Sequence, residues 1–397
     1  MQKYFNPKLG YYTVNDKIHL NKIAACVEAT KLGTPVKWIF NDATFNAVDW
    51  TKEPIETLDQ LYDARARELR AQYEYVIIAY SGGSDSHNLL SSFLRQGLHV
   101  DELYINHVHN GDKLNNGYDL ISINNKDAAH SRTSEHLFQA MPMATKINQM
   151  YPNIKITYPD MTEHVFDEYK RYKDGNWVMA KSDWIHPVGG HRWDMTKISS
   201  YAKLFDQGKK TCIVFGIEKP RVGYQRSDNQ FYLLLNDRPT TFGPAQYLRE
   251  YHGNVEVEFF YWAPSCVNMI AKQAHTMKKY IESLNIPRSW RFPLDANAVA
   301  NEHEPIMRNL LYGSTWNENF FSANRHVRDW SVQLDQWFFK VEPTNGVNLQ
   351  QIWKEGTQYI IDNAEPYLKL YNNEPDGLKS LLKMYSLGPP IARPLWS

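Results

Sequence analysis

The sequence predicts an α/β protein built on a doubly wound parallel sheet, with an N-terminal extension and a mainly helical C-terminal domain. Three observations carry this. Short apolar runs alternate with helical stretches between residues 75 and 215. The first run, Val76-Ile77-Ile78-Ala79, is continuous rather than alternating, as in a parallel strand covered on both faces. A Gly-Gly turn joins that run to its helix.

The extension, residues 1–70, opens with a hairpin-like run, Tyr11 to Val14 before Asn15-Asp16. A helical pattern follows from about His19 to Lys31, ended by Gly33 and Pro35, and then a short strand, Val36 to Phe40. From about Glu56 to Gln72, Leu58, Leu61, Tyr62, Ala66 and Leu69 recur at helical spacing. The middle domain, residues 71–238, begins at the strand Tyr75 to Tyr80 and its helix, Asp85 to about Arg95. A second strand at about Glu102 to Val108, a helix from Asp127 to Met150 and a third strand, Ile154 to Tyr158, repeat the alternation. A helix at about Met195 to Gln207 then leads to the strand Thr211 to Phe215 and a hairpin, Tyr224 to Leu235. Residues 239–397 read as mainly helical, with Cys266 to Leu284, Glu304 to Leu311, Ala323 to Phe339 and Leu349 to Tyr371 the clearest segments, and with a strand at Val255 to Phe259 after which Tyr261, Trp262 and Pro264 read as mainly structural.

Forty-four basic residues balance forty-four acidic ones, so no net field draws the chain to nucleic acid or an anionic membrane. Met1 to Leu9 lacks the apolar core of a signal peptide and no long apolar run occurs, which points to a cytoplasmic setting. Cys26, Cys212 and Cys266 form no CxxC unit, which argues against a disulfide framework or a cysteine zinc site.

The chemistry is concentrated in Ser81-Gly82-Gly83-Ser84-Asp85-Ser86. Two glycines let the backbone approach an anion, and the helix N-terminus adds partial positive charge. The hydroxyls of Ser81, Ser84 and Ser86 are expected to donate to phosphate oxygens. Asp85 would repel a bare phosphate, so its presence implies a cation, Mg²⁺, between carboxylate and phosphate. An ordinary strand-to-helix turn has similar composition. The apolar strand before the loop, the helix after it and the alternation beyond favour the phosphate reading.

With its strand, Ala79-Tyr80-Ser81-Gly82-Gly83-Ser84-Asp85-Ser86 resembles the SGGxDS signature of the PP-loop (N-type) ATP pyrophosphatases. The resemblance covers about residues 71 to 238 and implies an adenine nucleotide α-hydrolase-like, HUP-type fold. It also implies ATP cleavage to AMP and pyrophosphate, through an adenylated carboxylate or carbonyl that a nitrogen or sulfur nucleophile resolves. Ser84 replaces the family's usual apolar residue. The adenine in this family generally lies beside the carboxyl ends of the first two strands, which makes Ala79 and Ile105 the expected backbone contacts. The Walker A pattern is absent, so γ-phosphate transfer of the P-loop kind is not indicated.

The fourth strand ends in Gly216-Ile217-Glu218-Lys219-Pro220-Arg221, on the edge that carries the glycine loop. Gly216 permits close approach, Glu218 joins Asp85 as a candidate metal ligand, and Lys219 and Arg221 are candidates for stabilising the leaving pyrophosphate. A solvated turn is the plainer reading of these charges. His107-Val108-His109 suits packing better than zinc, and the loop containing His186 to Arg192 reads equally as a lid or a plain surface loop. Arg132 and Glu135 fit a solvated helix face.

Carbon-nitrogen ligation is the leading function. A sulfonucleotide reductase-like enzyme is an alternative, disfavoured because the tail from Glu374 to Ser397 has no cysteine. The other is a nucleotide-binding protein without catalysis. Residue 2 is Gln2, so no built-in N-terminal-nucleophile glutaminase is expected. The nitrogen is then expected to come from ammonia, an amino group or a partner, and the sequence does not name the acceptor.

Overall fold

A computed structural model describes residues 6–105, 134–169, 175–179, 201, 206–225, 227–241, 254–284, 305–313, 315, 348–371 and 374–391. Three of its sheets are built around an extensive apolar core. The expected helices Met195 to Gln207 and Ala323 to Phe339 lie wholly or mostly outside these residues, as do Arg132, the His107/His109 pair and the loop containing His186 to Arg192.

In the N-terminal region, β1 (Tyr11–Val14) and β2 (Lys17–His19) form a hairpin across Asn15 and Asp16, both with positive φ, the geometry that short Asn and Asp side chains tolerate best. Helix α1 (Lys22–Leu32) starts later than its periodicity suggests. His19 belongs to β2, and the Asn21 side chain caps the helix by accepting from the Ala24 amide at 2.9 Å. Gly33, at φ +64°, closes it. Strand β3 (Lys37–Ile39) pairs with the other side of β1, and the short helix α2 (Asp42–Phe45) follows. Helix α3 (Leu58–Gln72) begins at a capping box between Thr57 and Gln60.

The central sheet is parallel and five-stranded, in the order β10-β7-β4-β5-β6. Its members are β4 (Tyr75–Ala79), β5 (Glu102–Tyr104), β6 (Lys155–Thr157), β7 (Thr211–Phe215) and β10 (Val255–Phe259). Tyr75 to Ala79 pair residue for residue with Thr211 to Phe215, so the ends of the two middle strands lie side by side. All of β7 and all of β4 but Tyr75 are buried, which accounts for their unbroken apolar runs. Helix α4 (Ser84–Arg95) follows β4 and packs against α3. Between β5 and β6 come a π-helical turn, His136–Ala140, and α5 (Met141–Met150), in which Pro142 lacks the amide that a regular helix would use. Helix α6 (Thr162–Tyr169) follows β6. This is a Rossmann-like α/β arrangement.

The expected hairpin is present as β8 (Arg221–Gln225) and β9 (Gln230–Asn236), followed by the short α7 (Arg238–Thr241). The region beyond residue 238 departs from its mainly helical expectation. It supplies β10, the fifth strand of the parallel sheet, held to α3 by a buried ion pair in which Arg65 Nη2 lies 2.8 Å from Glu258 Oε2. It also supplies β13 (Leu382–Gly388), which adds to the hairpin in the order β13-β9-β8. Pairing partners are chosen by open strand edges, which local periodicity does not register. Helix α8 (Val267–Ser283) is as expected, and residues 305–312 are helical. Helix α9 (Leu349–Ala364) ends well short of Tyr371, because Pro366 cannot continue it, and β11 (Leu368–Tyr371) pairs with β12 (Glu374–Leu378) instead.

The three expected domains are joined by a buried polar knot. Lys22 Nζ lies 2.6 Å from Asp237 Oδ2, both side chains almost wholly buried. Tyr12 Oη donates to the same oxygen at 3.1 Å, and the Leu381 amide donates to Asp237 Oδ1 at 3.1 Å. Among the described residues no helix is long and apolar enough to cross a membrane.

Candidate functional site

Topology locates the site. The chain runs from β4 outward through β5 to β6, then crosses back to place β7 and β10 on the other side of β4. Connections therefore diverge between β4 and β7, and the carboxyl ends of strands at such a switch point are where ligands bind in open parallel sheets. The loops leaving these two strands hold Ser81 to Ser86 and Gly216 to Arg221.

The two glycines of the first loop do different work. Gly82 has φ +77°, and a Cβ there would lie 2.7 Å from both the Cα and the amide nitrogen of Ala140, the last residue of the π-helical turn. Its role is to pass beneath that turn. Gly83 is the N-cap of α4, with φ −70° and ψ 163°. Among the described residues an added Cβ at Gly83 would meet only Ser81 Oγ, at 3.5 Å, so its outer face is open. The amides of Ser84, Asp85 and Ser86 follow in the first turn, where helix geometry supplies no acceptor.

The serines separate likewise. Ser86 is buried and serves the loop itself, donating from Oγ to the Gly83 carbonyl at 3.1 Å and accepting from the Ser81 amide at 3.3 Å. Ser84 is buried, while Ser81 is exposed. Of the three hydroxyls expected to reach phosphate, Ser81 is thus the accessible one and Ser86 is a brace.

Asp85 connects the two loops and more distant chain. Its Oδ1 accepts from Tyr312 Oη at 2.6 Å and lies 3.6 Å from Lys219 Nζ. Its main-chain carbonyl accepts from Tyr261 Oη at 2.8 Å. No protein partner of Oδ2 is found among the described residues. Burial, reinforced by the Asp85 carboxylate, raises the Tyr312 phenol well above its ordinary range, so it remains a protonated donor.

Gly216 allows close approach, and its neighbour is the loop itself: a Cβ there would stand 2.9 Å from the Ser86 amide nitrogen. Glu218 Oε1 lies 3.6 Å from Arg238 Nη1, while Oε2 is buried without a hydrogen-bond partner among the described residues. Arg221 is half-buried and opens β8, so its main chain belongs to the hairpin. Ala79 is paired with Tyr104 on one side and Phe215 on the other. Ile105 is fully buried, and its amide donates to the Thr157 carbonyl at 2.8 Å. The Ile105 amide is thus engaged in the sheet. Among the described residues no group of three or more His, Cys, Asp or Glu side chains is placed to hold a metal ion. A Mg²⁺ here would draw its other ligands from phosphate oxygens and water, as this ion commonly does with one or two carboxylates.

Sequence reasoning missed Tyr312, Asn88 and Ala140, and read Tyr261 as mainly structural. Only Tyr261 carried a usable signal: it follows β10 at the carboxyl edge of the sheet, the position that drew attention to Gly216. His87, one turn into α4, is held near neutral form by burial and by the charge of Lys146, which lower its pKa to about 4, with Tyr80 Oη 3.0 Å from Nδ1.

No protein-family model and no curated protein matches the chain.

Proposed function

We propose that the chain binds ATP at the Ser81 to Ser86 loop and cleaves it between the α and β phosphates, activating a carboxylate or carbonyl for carbon-nitrogen bond formation, in the manner of the PP-loop ATP pyrophosphatases it resembles. The observation that carries this is the face of Gly83 left open among the described residues, beside first-turn amides that helix geometry leaves without acceptors and a carboxylate with one oxygen uncommitted among those residues, at the point where the strand order reverses. A turn serving only as a connector has no need of that combination.

In the reaction, an acceptor oxygen attacks the α phosphorus, the bond from that phosphorus to the α,β-bridging oxygen breaks, and pyrophosphate leaves with the electron pair. The nitrogen nucleophile then displaces AMP from the activated carbon and gives up a proton. The backbone amides of Ser84 and Asp85 hold phosphate oxygens, and Lys219 offsets charge on the departing pyrophosphate. Mg²⁺, when bound through Asp85, neutralises phosphate charge. The donor set fits that ion, since one free carboxylate oxygen beside a phosphate cradle is the kind of site it takes.

The sulfonucleotide reductase alternative loses further ground, because Cys26, Cys212 and Cys266 are all buried and burial pushes the Cys26 thiol up to about 12. The test is ATP-pyrophosphate exchange with Mg²⁺ across carboxylate and nucleotide acceptors. Stimulated exchange with AMP as product is expected, and Asp85→Asn should lower it by about two orders of magnitude or more. The variant should fold, because the amide oxygen still accepts from Tyr312. ADP and phosphate as products would rule the reading out. Tight Mg·ATP binding with no pyrophosphate from any acceptor would point to the non-catalytic alternative.

A further inference from the structure

The residues that steady Asp85 come from far along the chain and converge on one turn of α4. The helix at residues 305–312 is anchored where Tyr62 Oη donates to the Leu311 carbonyl at 3.0 Å. Thr315 Oγ1 donates to Asn88 Oδ1 at 3.0 Å, and Asn88 Nδ2 donates to Tyr261 Oη at 3.0 Å. The rings of Tyr62, Tyr261 and Tyr312 are all fully buried, with centroids 5.8, 5.9 and 6.1 Å apart pair by pair. Such a block is stiff, since each ring is confined by the other two.

Packing alone would be served by phenylalanine at 312. The hydroxyl adds a bond to the charged group of the candidate loop, at 2.6 Å, the short distance of a charge-assisted contact. It engages Oδ1 and, among the described residues, leaves Oδ2 uncommitted. Without it the partly exposed carboxylate would turn between rotamers, and a cation would have to order it on binding.

We propose that Tyr312 is a positioning residue for Asp85, fixing Oδ1 so that Oδ2 is presented as the single carboxylate ligand of nucleotide-bound Mg²⁺. This rests on the reading of the loop as an ATP site. It adds that the segment around Tyr312 sets the metal requirement of that site.

The experiment is a Mg²⁺ titration of ATP binding by calorimetry on the full chain, with a parallel measurement of ATP in EDTA, for the wild type, Tyr312→Phe and Thr315→Val. Tyr312→Phe should raise the Mg²⁺ midpoint about tenfold or more, the equivalent of one hydrogen bond to a charged group, and leave metal-free ATP affinity unchanged. Thr315→Val, which removes the other anchor of the same segment, should leave both unchanged. An unaltered midpoint in Tyr312→Phe, or an equal shift in Thr315→Val, would overturn the positioning role while leaving the ATP site standing. Absence of Mg²⁺-dependent ATP binding in the wild type would instead overturn the functional reading on which the proposal rests. Should Tyr312→Phe fail to fold, Asp85→Glu tests the same bond. A carboxylate one methylene longer cannot hold both positions, so an unchanged midpoint there also defeats the proposal.

Discussion

Replacing Gly82 and Gly83 with alanine, one at a time, separates folding from binding within two adjacent residues. Alanine at 82 must adopt φ +77°, which costs an L residue about 1–2 kcal/mol. Its Cβ would also stand 2.7 Å from the backbone of Ala140, and relieving such an overlap in a packed region costs about 1–3 kcal/mol. Gly82→Ala should therefore be less stable by about 2–5 kcal/mol in urea unfolding. Alanine at 83 meets neither obstacle, since φ is −70° and its Cβ would lie 3.5 Å from Ser81 Oγ, an ordinary contact. It is a poorer N-cap than glycine by about 1 kcal/mol or less, and reduced freedom of the unfolded chain returns about 0.4–1 kcal/mol. Stability should hardly change, yet the methyl occupies the face on which a phosphate would rest. Calorimetric titration with Mg·ATP should then show affinity reduced at least about tenfold, one lost first-turn contact with a charged oxygen. Unchanged ATP binding by Gly83→Ala would refute the cradle, and wild-type stability in Gly82→Ala would refute the assigned crossing beneath Ala140.

Two further outcomes follow from buried groups away from the loop. Asp237→Ala leaves Lys22 enclosed without its counter-charge and strands the Tyr12 hydroxyl and the Leu381 amide, so it should cost about 3–5 kcal/mol by chemical denaturation. A loss below about 1 kcal/mol, the range of exposed pairs, would mean that water reaches the knot. His87, with its pKa lowered to about 4 by burial, stays neutral in the folded chain where the unfolded chain takes up a proton, so the unfolded state binds more protons between pH 4 and 6.5. Stability from this group is complete above pH 6.5 and declines as the pH falls towards 4, by at most about 3 kcal/mol. Urea midpoints should fall less steeply over that window in His87→Gln, and identical slopes would count against a buried neutral imidazole.

Local signals located the elements with their own caps and periods. Asn15-Asp16, Gly33 and the apolar run Val76 to Ala79 each act over a few residues, and each lies where its chemistry placed it. The strand Val255 to Phe259 was legible too, but its membership of the parallel sheet was not, because the open edge of β7 is what recruits it. Leu382 to Gly388 carried no such local reading, and it joins β9 from the far end of the chain. In the candidate site, the glycine loop and the Gly216 turn were legible because both follow parallel strands. Tyr312 was not, since nothing in its neighbourhood distinguishes it from any other buried tyrosine.

The amino-acid sequence alone determines that Ser81 to Ser86 turns from a buried strand into a helix with two glycines, three hydroxyls and one carboxylate on offer. Backbone conformation and composition are local properties, so that much is written in the chain. Tertiary structure decides which of these groups remain available. Packing assigns Gly82 to Ala140 and Ser86 to the Gly83 carbonyl, brings Lys219 to Asp85, and sets a phenol from residue 312 on one carboxylate oxygen. Which donors stay open to a ligand depends on contacts between segments remote in sequence, and those form only when the sheet edges and the buried tyrosines have found their partners.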